Sequence, residues 1–291
     1  MSTIYQVGSH WRGFSALRRF VIFGDSYSSV GFIDYTSLPS ASQPLGVSFP
    51  GRTYNEKGLP NWVGHVITKY APEPRFNPYL KEMEQDVRYL ESPLLVYDYA
   101  EGGSTMEDVK EQIQDLFLPN IGKTEGNWDD VSLINGTLFI TWAGINDCAY
   151  GIDPDDAITG LLVELEKLID ISARNFLFVD VPPLHRIPAW PDNRERSPSE
   201  GQRYFDWNAA LRRGIQTFSR DHKDITALLF SSFETFERIF DHPEEHEIWP
   251  EEKKKRVGQI WMDGLHPTSA IHDIIASRMA DFLSGVTPCE T

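Results

Sequence analysis

Two short segments near opposite ends of the chain contain the residue types of a nucleophilic catalyst. The first is Gly24-Asp25-Ser26 and the second is Asp263-x-x-His266. A serine hydroxyl needs a base to take its proton, and a histidine base needs a partner that holds its ring in the reactive tautomer. Asp263 can bind one ring nitrogen of His266 while the other nitrogen faces Ser26. The pattern predicts a catalytic triad of Ser26, His266 and Asp263.

Each segment also fits a purely structural interpretation. Asp25, Ser26 and Ser28 are all good helix caps, and Asp-x-x-His ahead of a helix often only caps that helix. Ser26, however, follows an apolar run and a glycine that permits a tight turn. This is the position of a nucleophile whose hydroxyl is exposed at the end of a strand.

Two further segments offer donors for the oxyanion that forms when a serine attacks a carbonyl group. Gly102 and Gly103 leave their backbone N–H groups open to a ligand, and Asn146 offers a side-chain amide. We predict an oxyanion hole that includes Gly102 and Asn146, although spacing does not decide between Gly102 and Gly103. The alternatives are an ordinary strand-to-helix turn at the glycines and an Asx-turn at Asn146.

The elements that must position these residues alternate along the chain. Segments with a helical spacing of apolar residues cover 155–172, 201–222 and 268–284. Five β-rich runs end in turn or polar residues, at 20–23, 94–99, 138–142, 175–181 and 225–230. The alternation predicts an α/β fold, a three-layer α/β/α sandwich with a central five-stranded parallel sheet. Ligands bind such a sheet at the carboxyl ends of its strands, where Ser26, Gly102 and Asn146 lie.

The remaining segments suggest one domain with long loops at its rim. Residues 32–60 and 182–200 are rich in Pro, Ser and Gly, lack periodicity and follow strands. We therefore expect two long loops beside the pocket. No linker between two cores is visible, so we expect a single hydrolase domain at 20–288, preceded by an N-terminal extension at 1–19.

The composition excludes several classes of partner. The formal net charge is −16, from 27 basic and 43 acidic residues, and such a field repels phosphate backbones and anionic lipid headgroups. We therefore expect neither nucleic acid nor membrane partners. Cys148 and Cys289 are too few for a disulfide framework. The first residues contain no signal-like apolar stretch, so we expect a cytoplasmic protein, or a secreted one if a leader has been removed.

No metal or cofactor is expected. His242 and His246 have the spacing of zinc ligands, but the sequence shows no third ligand and Pro243 disfavours a regular helix. A surface loop is the better interpretation of this segment.

Taken in order, the four segments resemble the four conserved blocks of the GDSL/SGNH hydrolases across residues 20 to 285. That resemblance implies a serine ester hydrolase, with the roles predicted above for Ser26, Gly102, Asn146, Asp263 and His266. It also implies that the backbone N–H of Ser26 completes the oxyanion hole. The alternatives are a lipase-like or aryl esterase of broader acyl range, and a non-catalytic carbohydrate-binding protein on the same fold.

Further segments are similar to the fungal acetylesterases of carbohydrate esterase family 16. They are Phe23-Gly24-Asp25-Ser26-Tyr27, Phe49-Pro50-Gly51-Arg52, Gly58-Leu59-Pro60-Asn61-Trp62-Val63, Tyr97-Asp98-Tyr99-Ala100-x-Gly102-Gly103, Val181-Pro182-Pro183-Leu184 and Trp207-Asn208-x-x-Leu211. Glu101 and Ser104 depart from this pattern, which has an uncharged residue and an alanine there. The resemblance implies a small acetylated sugar, such as an acetylated xylo-oligosaccharide, as substrate. Asp25, Trp62 and Gly103 are the predicted substrate contacts.

Overall fold

The strands form one mixed sheet in the computed structural model, which describes residues 1–32, 38–122, 134–188 and 201–289. Within these ranges the strands are β1 (Thr3–Gln6), β2 (Arg19–Gly24), β3 (Leu95–Asp98), β4 (Thr137–Trp142), β5 (Asn175–Val179) and β6 (Thr226–Phe230). Their order in the sheet is β1-β6-β5-β4-β2-β3.

The five predicted strands are confirmed, and all of them run parallel. Their side chains are almost entirely buried, because helices cover both faces of a parallel sheet and leave no polar side to alternate with. The sequence of each of these strands is therefore an apolar run without alternation.

The sheet differs from the prediction by one antiparallel edge strand. β1 pairs with β6, with Thr3 opposite Leu229 and Ile4 opposite Leu228. Five residues after the end of β1, Trp11 is fully buried and donates its Nε1–H to the carbonyl of Val286 at 2.9 Å. Residues 1–19, predicted to be an extension, thus pack into the same core. A half-exposed edge strand has too weak an apolar pattern to be recognised in the sequence.

The helices lie on both sides of the sheet. Their bounds are α1 (Trp62–His65), α2 (Val87–Glu91), α3 (Met106–Glu111), α4 (Ile145–Tyr150), α5 (Pro154–Asp170), α6 (Gln202–Asp221), α7 (Ser232–Asp241) and α8 (Ser269–Ser284). In one layer α5 packs against both α3 and α6, and in the other α8 packs against both α1 and α7. Wide π-helical turns extend α1 over Val66–Tyr70 and α3 over Gln112–Gly122. The three predicted helices are confirmed as α5, α6 and α8.

Local sequence signals explain where two of the three long helices, α5 and α8, begin. Asp153 accepts hydrogen bonds from the N–H groups of Asp155 and Asp156 ahead of α5, and Pro154 occupies the first helical position. Thr268 caps α8 through the N–H of Ile271. Because α8 begins directly after the His266 segment, this cap also fixes where that segment ends.

The two predicted loops follow strands, as expected. Residues 38–60 form neither helix nor strand, and a short 3-10 turn, Leu184–Arg186, follows β5. Parts of both predicted loops, 33–37 and 189–200, lie outside the described residues. Within the described ranges, every helix is too short or too polar to span a lipid bilayer.

Candidate active site

Ser26 lies on a sharp turn directly after β2. A side chain on Gly24, the last residue of the strand, would place its Cβ 2.3 Å from the carbonyl oxygen of Trp142 on β4. Only glycine therefore fits beside the neighbouring strand. The carbonyl of Asp25 accepts hydrogen bonds from the N–H groups of Ser28 and Ser29, both at 3.1 Å. This turn leaves Ser26 8% exposed, at the carboxyl edge of the sheet.

His266 and Asp263 meet Ser26 from the other end of the chain. The Nε2 atom of His266 lies 3.1 Å from the Ser26 hydroxyl oxygen, and its Nδ1 atom lies 2.6 Å from Oδ2 of Asp263. Gly264, between the acid and the base, has a φ of +93°, which favours glycine. The structure thus brings together all three side chains of the predicted triad.

The carboxylate of Asp263 is held ionised by its hydrogen bonds. Its Oδ1 atom accepts the N–H groups of Leu265 at 2.9 Å and His266 at 2.8 Å. Partial burial favours the protonated carboxyl, but these bonds and the bond from the imidazole outweigh burial and lower the pKa of Asp263. A charged Asp263 can hold the Nδ1–H tautomer of His266, which leaves Nε2 free to accept a proton from Ser26.

Tyr27 joins the serine turn to the histidine segment. Its hydroxyl donates to the carbonyl of Leu265 at 2.6 Å, and its ring is fully buried. The residue that follows the nucleophile therefore fixes the backbone beside the base. No pattern in the sequence indicated this contact, because the two residues are 238 positions apart.

The two predicted oxyanion segments also contact each other. The side-chain amide of Asn146 donates to the carbonyl of Ser104 at 2.9 Å, and Oδ1 of Asp147 accepts the N–H of Met106 at 3.0 Å. Gly144 starts the turn into α4 with a φ of +120°, and a Cβ there would lie 2.2 Å from the indole nitrogen of Trp207. Asn146 is thereby fixed beside the Gly102-Gly103 turn.

The glycine pair itself has two distinct environments. Gly103 is exposed, has a φ of +87° and would carry a Cβ into open space. A Cβ on Gly102, in contrast, would lie 1.9 Å from the hydroxyl oxygen of Tyr54. Tyr54 also stacks on His266, with ring centroids 5.3 Å apart and planes inclined by 29°. Tyr54 is not among the predicted site residues, because nothing in the local sequence marks a loop tyrosine as part of a site.

Two of the predicted substrate contacts are corrected by burial. Asp25 and Trp62 are both fully buried, so neither side chain can touch a substrate in this structure. Oδ1 of Asp25 accepts the N–H of Tyr27 at 3.0 Å, and Nε1 of Trp62 donates to the hydroxyl of Ser28 at 3.2 Å. Both side chains instead support the turn that presents Ser26.

Two further ionisable side chains near the site, the carboxyl of Asp25 and the thiol of Cys148, are buried. Burial raises the pKa of Asp25 to about 7. Burial also raises the pKa of the Cys148 thiol, which follows Asn146 by two residues on α4, so a reactive thiolate is disfavoured there. Among the described residues, no three His, Cys, Asp or Glu side chains are grouped as metal ligands would be.

Comparison with known proteins shows the family and the fold of the chain. Residues 20–279 match the GDSL-like lipase/acylhydrolase family. An acetylesterase from Thermothelomyces thermophilus is 28% identical over 290 residues, which span 91% of this chain and 88% of that protein. The fold is similar to that of a mutant acetyl-xylooligosaccharide esterase from Geobacillus, with a TM-score of 0.55, 14% identity, and coverage of 94% of this chain and 97% of the other. An acetyl xylan esterase gives a TM-score of 0.51, 12% identity, and coverage of 91% and 98%. Because the family match spans most of the chain, this protein belongs to the GDSL-like lipase/acylhydrolase family and is a carboxylic ester hydrolase.

Proposed function

We propose that this enzyme removes acetyl groups from sugars such as xylo-oligosaccharides, through an acyl-enzyme formed on Ser26. The observation that carries the proposal is the continuous chain of contacts from Asp263 through His266 to the Ser26 hydroxyl, with distances of 2.6 Å and 3.1 Å. This arrangement lets a neutral serine become a nucleophile without a metal ion.

The reaction follows from the proton that His266 accepts and returns. In the first step, the Ser26 oxygen attacks the acetyl carbonyl carbon while Nε2 of His266 takes the hydroxyl proton. The tetrahedral intermediate then breaks its bond to the sugar oxygen, which leaves with the proton from His266. In the second step, water attacks the acetyl-serine, His266 takes a proton from that water and returns it to Ser26, and acetate is released.

Four N–H groups are candidates for binding the oxyanion of both intermediates. Within the described residues, the backbone N–H groups of Ser26, Gly102 and Gly103 donate to no protein acceptor. The amide nitrogen of Asn146 carries two hydrogens and donates one of them to the carbonyl of Ser104. Donors held in place in advance are the usual source of oxyanion stabilisation.

The surroundings of the site favour a hydroxylated substrate over a long acyl chain. A recess of about 240 Å³ beside the glycine pair is lined mainly by polar side chains, namely those of Glu101, Ser104, Asp108, Glu111 and Gln112. Burying a hydrocarbon chain among such groups would remove their water without replacing its hydrogen bonds. The names of the relatives, an acetylesterase and two esterases of acetylated xylan or its oligosaccharides, point the same way.

Acyl-length profiling tests the proposal directly. We expect kcat/KM to be highest for acetyl esters and to fall from acetyl to butyryl to octanoyl, since each excluded methylene changes discrimination by about 1–3 kcal/mol. Acetate release from acetylated xylo-oligosaccharides should accompany this profile, with Ser26→Ala as the control for background hydrolysis. A kcat/KM that rises steadily toward octanoyl would contradict the proposal and support a lipase-like enzyme.

A further inference from the structure

Tyr54 stacks on the ring of His266, the residue that passes a proton to the leaving group in the proposed reaction. The alcohol oxygen that departs from the tetrahedral intermediate takes its proton from Nε2 of His266, so it must come within hydrogen-bonding distance of that atom. Whatever flanks the imidazole on its open side therefore contacts the alcohol part of the ester.

Among the residues that the structure describes, two tyrosines flank the imidazole, and one of these two is open to a substrate. Tyr27 is 6.4 Å from the imidazole centroid, but it is fully buried and its hydroxyl is bound to Leu265. Tyr54 is 5.3 Å from the imidazole centroid and 44% exposed. Its hydroxyl lies against Gly102, so the ring extends from the base to the predicted oxyanion hole.

The loop around Tyr54 is fixed by hydrogen bonds on both sides of that residue. The Thr53 hydroxyl donates to the carbonyl of Leu59 at 3.2 Å, and the amide of Asn55 donates to the same carbonyl at 3.0 Å. Glu56 accepts the N–H of Ser269, three residues after His266, at 2.7 Å. The loop that carries Tyr54 is thus fixed relative to the segment that follows His266.

A tyrosine in this position has the chemistry that a sugar ring requires. Its flat apolar face can pack against the C–H groups of a pyranose, and its hydroxyl can bind a sugar hydroxyl. Within the described part of the chain, the Tyr54 hydroxyl makes no hydrogen bond of its own. Glu101 and Arg52, both exposed, border the same small recess as Tyr54 and add further polar groups for sugar hydroxyls.

We infer that Tyr54, and not the buried Trp62, is the aromatic platform that binds the sugar leaving group. This inference rests on the proposed action on acetylated sugars. Tyr54 then discriminates between esters by their alcohol part. Recognition of the acyl group and the attack by Ser26 do not depend on it.

The test compares two esters that share the acetyl group and differ only in the alcohol, a mono-acetylated methyl xyloside and ethyl acetate. We expect Tyr54→Ala to lower kcat/KM for the xyloside about tenfold more than for ethyl acetate, mainly through KM. Tyr54→Phe should recover most of that discrimination, because the ring remains. Unacetylated methyl xyloside should also inhibit Tyr54→Ala about tenfold more weakly than the wild type. Tyr79→Ala, at an exposed tyrosine in a different cavity, is the matched control and should leave the ratio of the two substrates unchanged.

The outcomes separate the two hypotheses. Equal losses on both esters in Tyr54→Ala would make Tyr54 a support for His266 only, and would overturn the platform while acetyl-sugar hydrolysis stands. No loss on either ester would also overturn the platform. A wild-type enzyme that hydrolyses ethyl acetate but not the acetylated xyloside would instead refute the proposed function, and the sugar platform with it. Thermal unfolding of each variant shows whether the fold is retained.

Discussion

The carboxamide of Gln112 binds both backbone polar groups of Gly24, accepting the N–H and donating to the carbonyl, each at 2.9 Å. The regular pairing of β2 with β3 ends at Ile22 and Asp98, and beyond it the Gly24 carbonyl also accepts the N–H of Glu101 at 3.1 Å. Gln112 supplies the acceptor for the N–H of Gly24. Its amide also donates to the Ser104 hydroxyl at 3.2 Å, which joins the nucleophile's strand to the segment after the glycine pair.

Gln112→Leu should therefore destabilise the fold and impair catalysis together. The buried N–H of Gly24 would lose its acceptor, and such a loss costs about 1–3 kcal/mol. Urea denaturation should show a lower midpoint with an unchanged slope, and kcat should fall because Ser26 follows Gly24 by two residues. Gln216→Leu, on the exposed face of α6, is the control and should change stability by less than about 0.5 kcal/mol. Equal stability of the two variants would show that the Gln112 bonds contribute nothing.

Ser26→Ala should abolish turnover while the protein stays folded. The hydroxyl contributes to chemistry much more than to packing, so thermal unfolding should match that of the wild type. Removal of a triad member typically lowers kcat by several orders of magnitude. Activity above roughly a thousandth of the wild-type value would rule out Ser26 as the nucleophile. Ser284→Ala, at an exposed serine near the end of α8, is the matched control.

Asp263→Asn should lower kcat by about 10²- to 10⁴-fold with a small change in KM. The 2.6 Å contact between Oδ2 and Nδ1 of His266 holds the reactive tautomer, and an amide in the same place no longer requires it. Steady-state kinetics on an acetyl ester measure the effect, with Asp281→Asn, at an exposed position, as the control. A loss smaller than about tenfold would mean that another group orients His266.

Asn146→Ala should lower kcat by about a hundredfold or more with little change in KM, because a donor aimed at the oxyanion acts mainly in the transition state. The substitution also removes the bond to Ser104, so thermal unfolding must be measured alongside the kinetics. An unchanged kcat with a raised KM would assign Asn146 to substrate binding alone.

Asp25→Asn should weaken the pH dependence of stability. Burial raises the pKa of Asp25 from 3.8 to about 7, the N–H of Tyr27 opposes this, and the nearby Asp147 adds to it. The folded protein then keeps a proton that the unfolded chain releases between about pH 4 and pH 7, so the free energy of unfolding falls as the pH rises through that window.

Urea denaturation of wild type and variant at several values of pH checks this. The wild-type free energy of unfolding should drop by a few kcal/mol more than that of Asp25→Asn across the window. Some dependence should remain in the variant, because burial also raises the pKa of Asp98. Identical slopes for the two proteins would contradict a raised pKa at Asp25.

Local patterns in the sequence were enough to predict most of the fold and the three side chains that meet at the site. The parallel strands are buried on both faces and appear as apolar runs, and α5, α6 and α8 carry an apolar stripe that recurs at each helical turn. Asp263 and His266 are close enough in the chain for their contact to follow from spacing. Their meeting with Ser26 followed from the order of the segments along an alternating α/β chain.

Only the tertiary structure decided which side chains face the substrate and which support the site. Trp62 and Tyr54 are both aromatic residues of one segment, yet the first is buried under the serine turn and the second lies over His266. Gln112 binds the backbone of Gly24 although the two residues are 88 positions apart, and β1 pairs with β6, which lies more than 200 positions later in the chain. Burial and long-range hydrogen bonding depend on how the whole chain packs, so the local sequence around a residue carries no signal of either.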